Sequence, residues 1–388
     1  MIEKVSIEEF AIIVRGSSPR PSGDPRYYGG TIPRLMVSDV TRDGMYVTPK
    51  IDFLTEEGAT KSRAMLKGDL VIAVSGDPGE PCILNVDACI HDGFVGLRSL
   101  NKKKVFAPFL YHFLKFNKKN NRDQAVGAIY KNLNTDQIKN LQIPLPPLEQ
   151  QKKIAAILDA TDAYRQLTKA LIAKYDELTQ SLFLDMFGDP VKNEKGWELK
   201  ILESLVSKLG DGLHGTPEYS DDGEYYFING NNLQQGKIVI DSNTKKVSES
   251  EYLKHKKDLG FNTVLVSING SIGKVAFYNN EPVILGKSAC YFNLISGIIN
   301  KIFLYHIIDS PYFLKYARGE ATGSTIKNVS LKSMRNFPIP NPPLALQNQF
   351  AESVQAIEEQ KAQAQASLEK AEELFASLLQ RAFKGEIT

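Results

Sequence analysis

The chain has 388 residues, 24% of them charged, and a net charge of +2, so it has room for two domains and whole-chain charge does not by itself call for nucleic acid. No apolar run reaches the ~18 residues a membrane span needs, and the opening Met1-Ile-Glu-Lys-Val-Ser-Ile-Glu-Glu9 lacks the form of a secretory signal. Three cysteines, Cys82, Cys89 and Cys290, make no disulfide framework, so a reducing cytoplasm is the expected setting.

Residues 1–143 read as a first globular domain. Short β-type runs at Leu70–Val74, Cys82–Val86 and Gly93–Leu97 are separated by the turns Ser75-Gly-Asp-Pro-Gly79 and Asp92-Gly93. An amphipathic helix is predicted over 106–119 and a helical turn over 135–140. The whole reads as an α+β domain with one curved, mostly antiparallel sheet.

Residues 144–189 differ in kind. Pro144-Leu-Pro-Pro147 sets a helix start, and the next forty residues, Leu148 to Phe187, contain neither Pro nor Gly. Ile154, Ile157, Thr161, Tyr164, Thr168, Leu171, Tyr175, Leu178 and Leu182 recur in steps of three and four, which predicts a narrow heptad seam. Gly188-Asp-Pro190 ends it. At ~1.5 Å per residue such a helix spans roughly 60 Å, longer than a compact domain requires.

A second domain, 190–339, repeats the plan, with strands at Val264–Ile268 and Lys274–Tyr278 about the turn Asn269-Gly-Ser-Ile-Gly273, and a helix over Ile302–Tyr316. Residues 340–388 form a second long helix, Leu344 to Phe383. Its expected seam is Phe350, Ser353, Ile357, Gln360, Ala364, Ser367, Ala371, Leu374 and Leu378, smaller than that of the first helix.

The halves are copies. Asn140-Leu-Gln-Ile-Pro-Leu-Pro-Pro-Leu148 returns 196 residues later as Asn336-Phe-Pro-Ile-Pro-Asn-Pro-Pro-Leu344, and Phe187 as Phe383 with no gap from Gly127/Gly323 onward. Phe109-Leu-Tyr-His112 matches Phe303-Leu-Tyr-His306, and Gly16…Pro21 matches Gly212…Pro217. Two copies pair most simply about an approximate two-fold. That makes the long helices an intramolecular antiparallel coiled coil, large seam residues against small. The plainer alternative packs each helix on its own domain or on another chain.

Enzyme-like motifs fail on inspection. Asn341-Pro-Pro-Leu344 mimics an adenine-methyltransferase motif but lacks its aromatic residue, and no glycine-rich cofactor loop is present. Gly286-Lys-Ser288 mimics the end of a phosphate loop, but the first glycine of that loop is replaced by Glu281. Cys82, Cys89 and His91 fit no zinc spacing. Recognition remains. Residues 1–147 hold 20 Lys and Arg against 16 Asp and Glu, and 188–343 hold 18 against 16, whereas both long helices are net acidic, which hints weakly at an anionic partner for the globular parts. Side chains able to meet phosphates or base edges cluster in the loops. In the first domain they are Arg15, Ser17, Ser18, Arg20, Arg26, Tyr27, Arg34, Lys61 and Arg63. In the second they are His214, Thr216, Tyr219, Asn229, Asn231, Asn232, Lys274 and Lys287, with Ser324, Thr325 and Lys327. Any one of these, taken alone, is more simply a solvated surface residue.

Over its whole length the chain resembles the specificity subunits of type I restriction–modification systems. The likeness is carried by Ile143-Pro-Leu-Pro-Pro-Leu-Glu-Gln-Gln151 and Ile339-Pro-Asn-Pro-Pro-Leu-Ala-Leu-Gln347, the helices after them, Gly210-Asp-Gly-Leu-His-Gly-Thr-Pro217 and Gly323-Ser-Thr-Ile-Lys-Asn-Val329. The second helix departs at Ala345-Leu346, where the first has Glu149-Gln150. The resemblance implies two target-recognition domains, each reading half of a bipartite site in double-stranded DNA, with the helices as spacer. It also implies a non-catalytic chain in a prokaryotic cytoplasm, with no cofactor of its own. Two methyltransferase subunits using S-adenosylmethionine, and restriction subunits, would be its partners. The rival reading is a coiled-coil scaffold whose repeated domains bind protein. Steep loss of DNA binding with salt separates the two.

Overall fold

A computed structural model describes residues 4–124, 135–320, 328–384 and 386. The chain forms two compact units, one from the chain up to Ala170 together with that from Gln365 onward, the other from Leu171 to Ala364. Each unit therefore contains part of both long helices, Leu148–Phe187 and Leu344–Lys384. The class is α+β, and the two units share one plan.

In the first unit a five-stranded sheet runs in the order Ile12–Arg15, Phe94–Arg98, Leu70–Ala73, Pro81–Leu84, Tyr46–Val47. A second sheet follows the order Asp52–Leu54, Tyr28–Leu35, Ala88–Ile90, Arg63–Met65. Successive strand residues point to opposite faces. Val71 and Ala73 accordingly pack with Leu35, Ile90 and Phe94, while Leu70 and Ile72 pack with Phe109, Leu110 and Ile154. Burial on both faces explains why these strands read as unbroken apolar runs.

The second unit has a four-stranded sheet, Val206–Asp211, Ala289–Leu294, Thr263–Ser267, Val275–Phe277, and a three-stranded one, Lys246–Val247, Tyr225–Ile228, Val283–Leu285. The single curved sheet expected per domain is thus divided into two larger sheets, beside two-stranded ones. Parallel pairs Arg34↔Cys89 and Phe227↔Ile284 lie within the smaller sheets, long-range pairings that local alternation cannot signal. The helix expected over 302–316 is two helices, Lys301–Ile308 and Pro311–Glu320. Pro311 has no N–H and disfavours helical backbone at the residue before it, so a new helix begins there. Its counterpart in the first unit runs unbroken from Ala107 to Gln124.

In each unit the long helices pack antiparallel. In the first, Ile154, Ala155 and Leu158 share a core with Phe375, Leu378, Leu379 and Ala382, while Lys169 reaches Glu372 at 2.9 Å. In the second, Phe183 and Phe187 pack on Phe350, and Lys361 pairs with Asp176. The seam differs from the expected one at alternate positions. Ile157, Tyr164, Leu171, Leu178 and Leu374 are 40–53% exposed. Their places are taken one residue later by Leu158, Arg165, Ile172, Thr179 and Phe375, buried or half-buried. Ile154, Tyr175, Leu182, Phe350, Ile357, Ala364, Ala371 and Leu378 do face inward. The two stripes share every second position, and counting apolar residues favours the one with Tyr164 and Leu171. The docking of Leu158 and Phe183 into the domain cores turns the helices to the other.

Why the long helices start where they do is visible at one repeated residue. Gln151 is fully buried; its Oε1 accepts from Phe106 N at 2.9 Å and its Nε2 donates to Lys104 O at 2.8 Å and Pro146 O at 2.9 Å. Gln347 repeats this with Asn300 N at 2.9 Å and Pro342 O at 2.8 Å. Each glutamine ties the proline entry to the segment that begins the preceding domain helix. Gln347→Leu is expected to leave the Asn300 N–H and the Pro342 carbonyl unpaired and to destabilise the protein by roughly 1–3 kcal/mol, read as a lower urea midpoint; an unchanged midpoint would refute this role.

Candidate nucleic-acid interface

Both units carry their polar loops at one equivalent point, where the first strand of the larger sheet ends in a glycine. A Cβ on Gly16 would lie 1.9 Å from His91 O, and one on Gly212 2.0 Å from Leu285 O. Only glycine permits the approach. It lets Gly16 N donate to Phe94 O at 2.9 Å and Ser17 N to Ile90 O at 3.1 Å, as Leu213 N does to Leu285 O at 2.6 Å.

Around Gly16 the loop folds against Lys61–Arg63 and Asp92. Ser17 Oγ donates to Lys61 O at 3.1 Å and Ser18 Oγ to Asp92 Oδ1 at 2.6 Å. Arg63 Nε donates to Arg15 O at 3.2 Å, with both side chains exposed. Arg20 forms a long ion pair with Asp92 at 3.8 Å, and its side chain is 75% exposed, open to a ligand. Arg26 forks onto Asp24. Arg34 is largely enclosed, paired with Asp52 at 2.7 Å and set over the Tyr28 ring, with its Nε buried and without a partner among the described residues. Tyr27 lies inside, not on the face. Its hydroxyl accepts from Lys61 Nζ at 2.6 Å, so it positions Lys61 and offers no ring for stacking.

Electrostatics follow from these contacts. The Ser18 hydroxyl holds the Asp92 carboxyl below its ordinary value, and Arg26 does the same for Asp24. Burial, aided by the charge of Arg34, pushes His91 down. His91 Nδ1 accepts from Gly93 N at 2.9 Å, which makes Nε2 the protonated nitrogen of the neutral ring.

In the second unit His214 is exposed beside Asp211 at 2.7 Å, and Thr216, Asn231 and Lys287 are exposed too. Lys287 N donates to Leu213 O at 2.9 Å, which brings Lys287 to the His214 loop. Tyr219 is half exposed, with Lys245 Nζ 5.9 Å from its ring centre. Two asparagines serve the loop itself. Asn232 Oδ1 accepts from Asn229 N at 2.9 Å and its Nδ2 donates to Val239 O at 2.9 Å, while Asn229 Oδ1 accepts from Ser288 Oγ at 3.2 Å. Such caps are what asparagine does best at turn starts. Lys274 is half-buried in the turn after Thr263–Ser267. Ser324, Thr325 and Lys327 lie outside the described residues.

Reading the sequence for donors misses the acids Asp24, Asp52 and Asp92, which aim the arginines, and also Lys245. Asp24-x-Arg26 was the one local signal; the others come from distant segments. Cys82, Cys89 and Cys290 are buried, with their thiols pushed up by burial, and no cluster of potential metal ligands occurs among the described residues.

Two stretches, residues 2–175 and 194–373, match the type I restriction modification DNA specificity domain. The chain is 24% identical to the type I restriction enzyme EcoKI specificity subunit of Escherichia coli strain K12, over 97% of this chain and 87% of that one. It is 24% identical to the MjaVIII specificity subunit of Methanocaldococcus jannaschii, over 91% and 89%. Its fold is similar to that of the type I restriction–modification S subunit from M. genitalium, at 15% identity, with a TM-score of 0.58 over 99% of this chain and 96% of the other. A chain from a study of assembly and conformational transition in a type I system has a TM-score of 0.60 at 19% identity, over 99% and 98%. With matches spanning both halves, the chain belongs to the type I restriction–modification DNA specificity family.

Proposed function

We propose that the face about Gly16 reads one half of a bipartite DNA site and the face about Gly212 the other, the long helices setting the gap between them. The observation that carries this reading is the repetition: each half matches the specificity domain and presents exposed cations and hydrogen-bonding side chains at the equivalent glycine. In this reading the chain is itself non-catalytic. Methylation belongs to two partner methyltransferase subunits, which hold S-adenosylmethionine, and cleavage to restriction subunits. Exposed apolar side chains on the long helices suit such partners: Ile157, Tyr164 and Leu374 in the first unit, Leu171 and Leu178 in the second. Tyr164 and Leu374 line a shallow groove with Ala160, Thr161, Lys370 and Ala371.

The test is the double substitution Arg15→Ala/Arg20→Ala in the assembled complex. Loss of two phosphate contacts lowers the slope of log affinity against log salt by about 2. A base contact by either residue instead relaxes the motif in one half only. Relaxation of both halves contradicts domain-wise reading, and a wild-type affinity indifferent to salt favours the protein-binding scaffold.

A further inference from the structure

Between the apolar cores, the paired helices change character. In the first unit the shared core ends at Leu158 on the central helix and Phe375 on the C-terminal one; in the second it ends at Leu182 and Val354. The residues facing inward beyond those limits include Arg165, Thr168, Thr179, Lys361, Ala364 and Ala371. Ile172, Tyr175 and Ile357 also face inward but are only half-buried, so this section has less apolar area to fix a pairing than the cores have.

Ion pairs cross this section, and two of their cations are copies of one another. Arg165 and Lys361 occupy the same place in the repeat, 196 residues apart, and so do Asp176 and Glu372. In the first unit Arg165 lies 3.7 Å from Glu372, which Lys169 also meets at 2.9 Å; the Arg165 guanidinium rests 4.5 Å from the Phe375 ring centre. In the second unit Lys361 pairs with Asp176. Both cations are 18% exposed with their stems within the seam; Arg165 also holds Asp162 on its own helix at 2.6 Å, and Lys361 lies 3.8 Å from Glu358 on its own. Each cross-helix pair thus joins a cation of one copy to an anion of the other.

We propose that these cross-helix ion pairs are clasps that hold the middle of the helix pair in one register, and so act as determinants of the spacer length the protein accepts. The proposal rests on the bipartite reading above. Charged pairs flanking a weak apolar seam select partner and alignment more than they add stability.

The test measures methylation by the full-length chain, assembled with its methyltransferase partners, on sites with both correct half-sequences and spacers of native length, one base pair shorter and one longer. Comparing spacers within one protein cancels the phosphate contribution to salt dependence, because the same loops are engaged throughout. Lys361→Glu is expected to reduce the preference for the native spacer by about fivefold, and Asp176→Lys/Lys361→Glu to restore it. An unchanged preference in the single variant, or no restoration in the exchanged pair, overturns the proposal. If Lys361→Glu fails to fold, the exchanged pair decides alone: native preference supports the clasp and a broadened one refutes it. A wild-type complex that needs only one half-sequence refutes the bipartite reading instead, a result distinguishable from failure of the clasp.

Discussion

Replacing Gly16 by valine is expected to lower methylation of the target site about a hundredfold or more, equivalent to ~3 kcal/mol. The atoms a Cβ would meet are main-chain atoms: His91 O at 1.9 Å, His91 C at 2.6 Å and Ile90 O at 2.9 Å. No rotamer change relieves such a clash, so the strand Ile12–Arg15 must part from the segment at His91. Ser17 then loses Ile90 O and Ser18 loses Asp92, and the loop bearing Arg20 loses its frame. Gly212→Val meets Leu285 O at 2.0 Å and Leu285 C at 2.2 Å and should act alike. Because both half-sites must be engaged, either substitution alone is sufficient. Gly215→Ala is the control. Nothing lies within 4 Å of its Cβ, and methylation should stay within about twofold of wild type. Full activity of Gly16→Val, measured by sequencing methylated DNA from cells carrying the variant, would show that the loop anchored at this glycine takes no part in reading.

Removing residues 169–175 together with 362–368 is expected to shorten the recognised spacer while leaving both half-sequences unchanged. One heptad takes out about 10 Å of helix at 1.5 Å per residue, comparable to roughly three base pairs at 3.4 Å. The cores about Leu158 and Phe183 remain, as do Arg165, Glu372, Asp176 and Lys361. A seven-residue deletion also rotates an ideal helix by only ~20°, so each seam still faces its partner. The measurement is the methylated motif. A spacer of unchanged length would show that the helices do not act as the ruler, and altered half-sequences would show that the recognition faces depend on them.

Some of the candidate face could be read directly from the chain. Gly16 and Gly212 stand out because the repeat aligns them, and the structure gives each the same steric reason. Arg15, Arg20, His214 and Lys287 are exposed as loop cations and donors should be. Tyr27, Asn229 and Asn232 show the limit: as residue types they suit DNA, but their polar groups are engaged by Lys61, Ser288 and neighbouring main chain. Residue type states what a side chain can bond; whether a neighbour already holds it depends on segments far away in sequence.

The long helices show the same division. Pro144–Pro147 and Pro342–Pro343, the absence of Pro and Gly for forty residues, and the 196-residue repeat sufficed to define two helices, their ends and their kinship. Those are local properties of the backbone and of identity between copies. Which stripe faces inward was decided only in three dimensions, since two heptad stripes share Ile154, Tyr175 and Leu182 and the choice between Tyr164 and Arg165 depends on how the helix ends dock. The division of each domain into separate sheets with parallel pairs, and the ion pairs Arg165–Glu372 and Lys361–Asp176, were likewise set by tertiary structure. Each joins residues whose proximity no short-range pattern records, because the free energy that brings them together comes from the packing of whole surfaces.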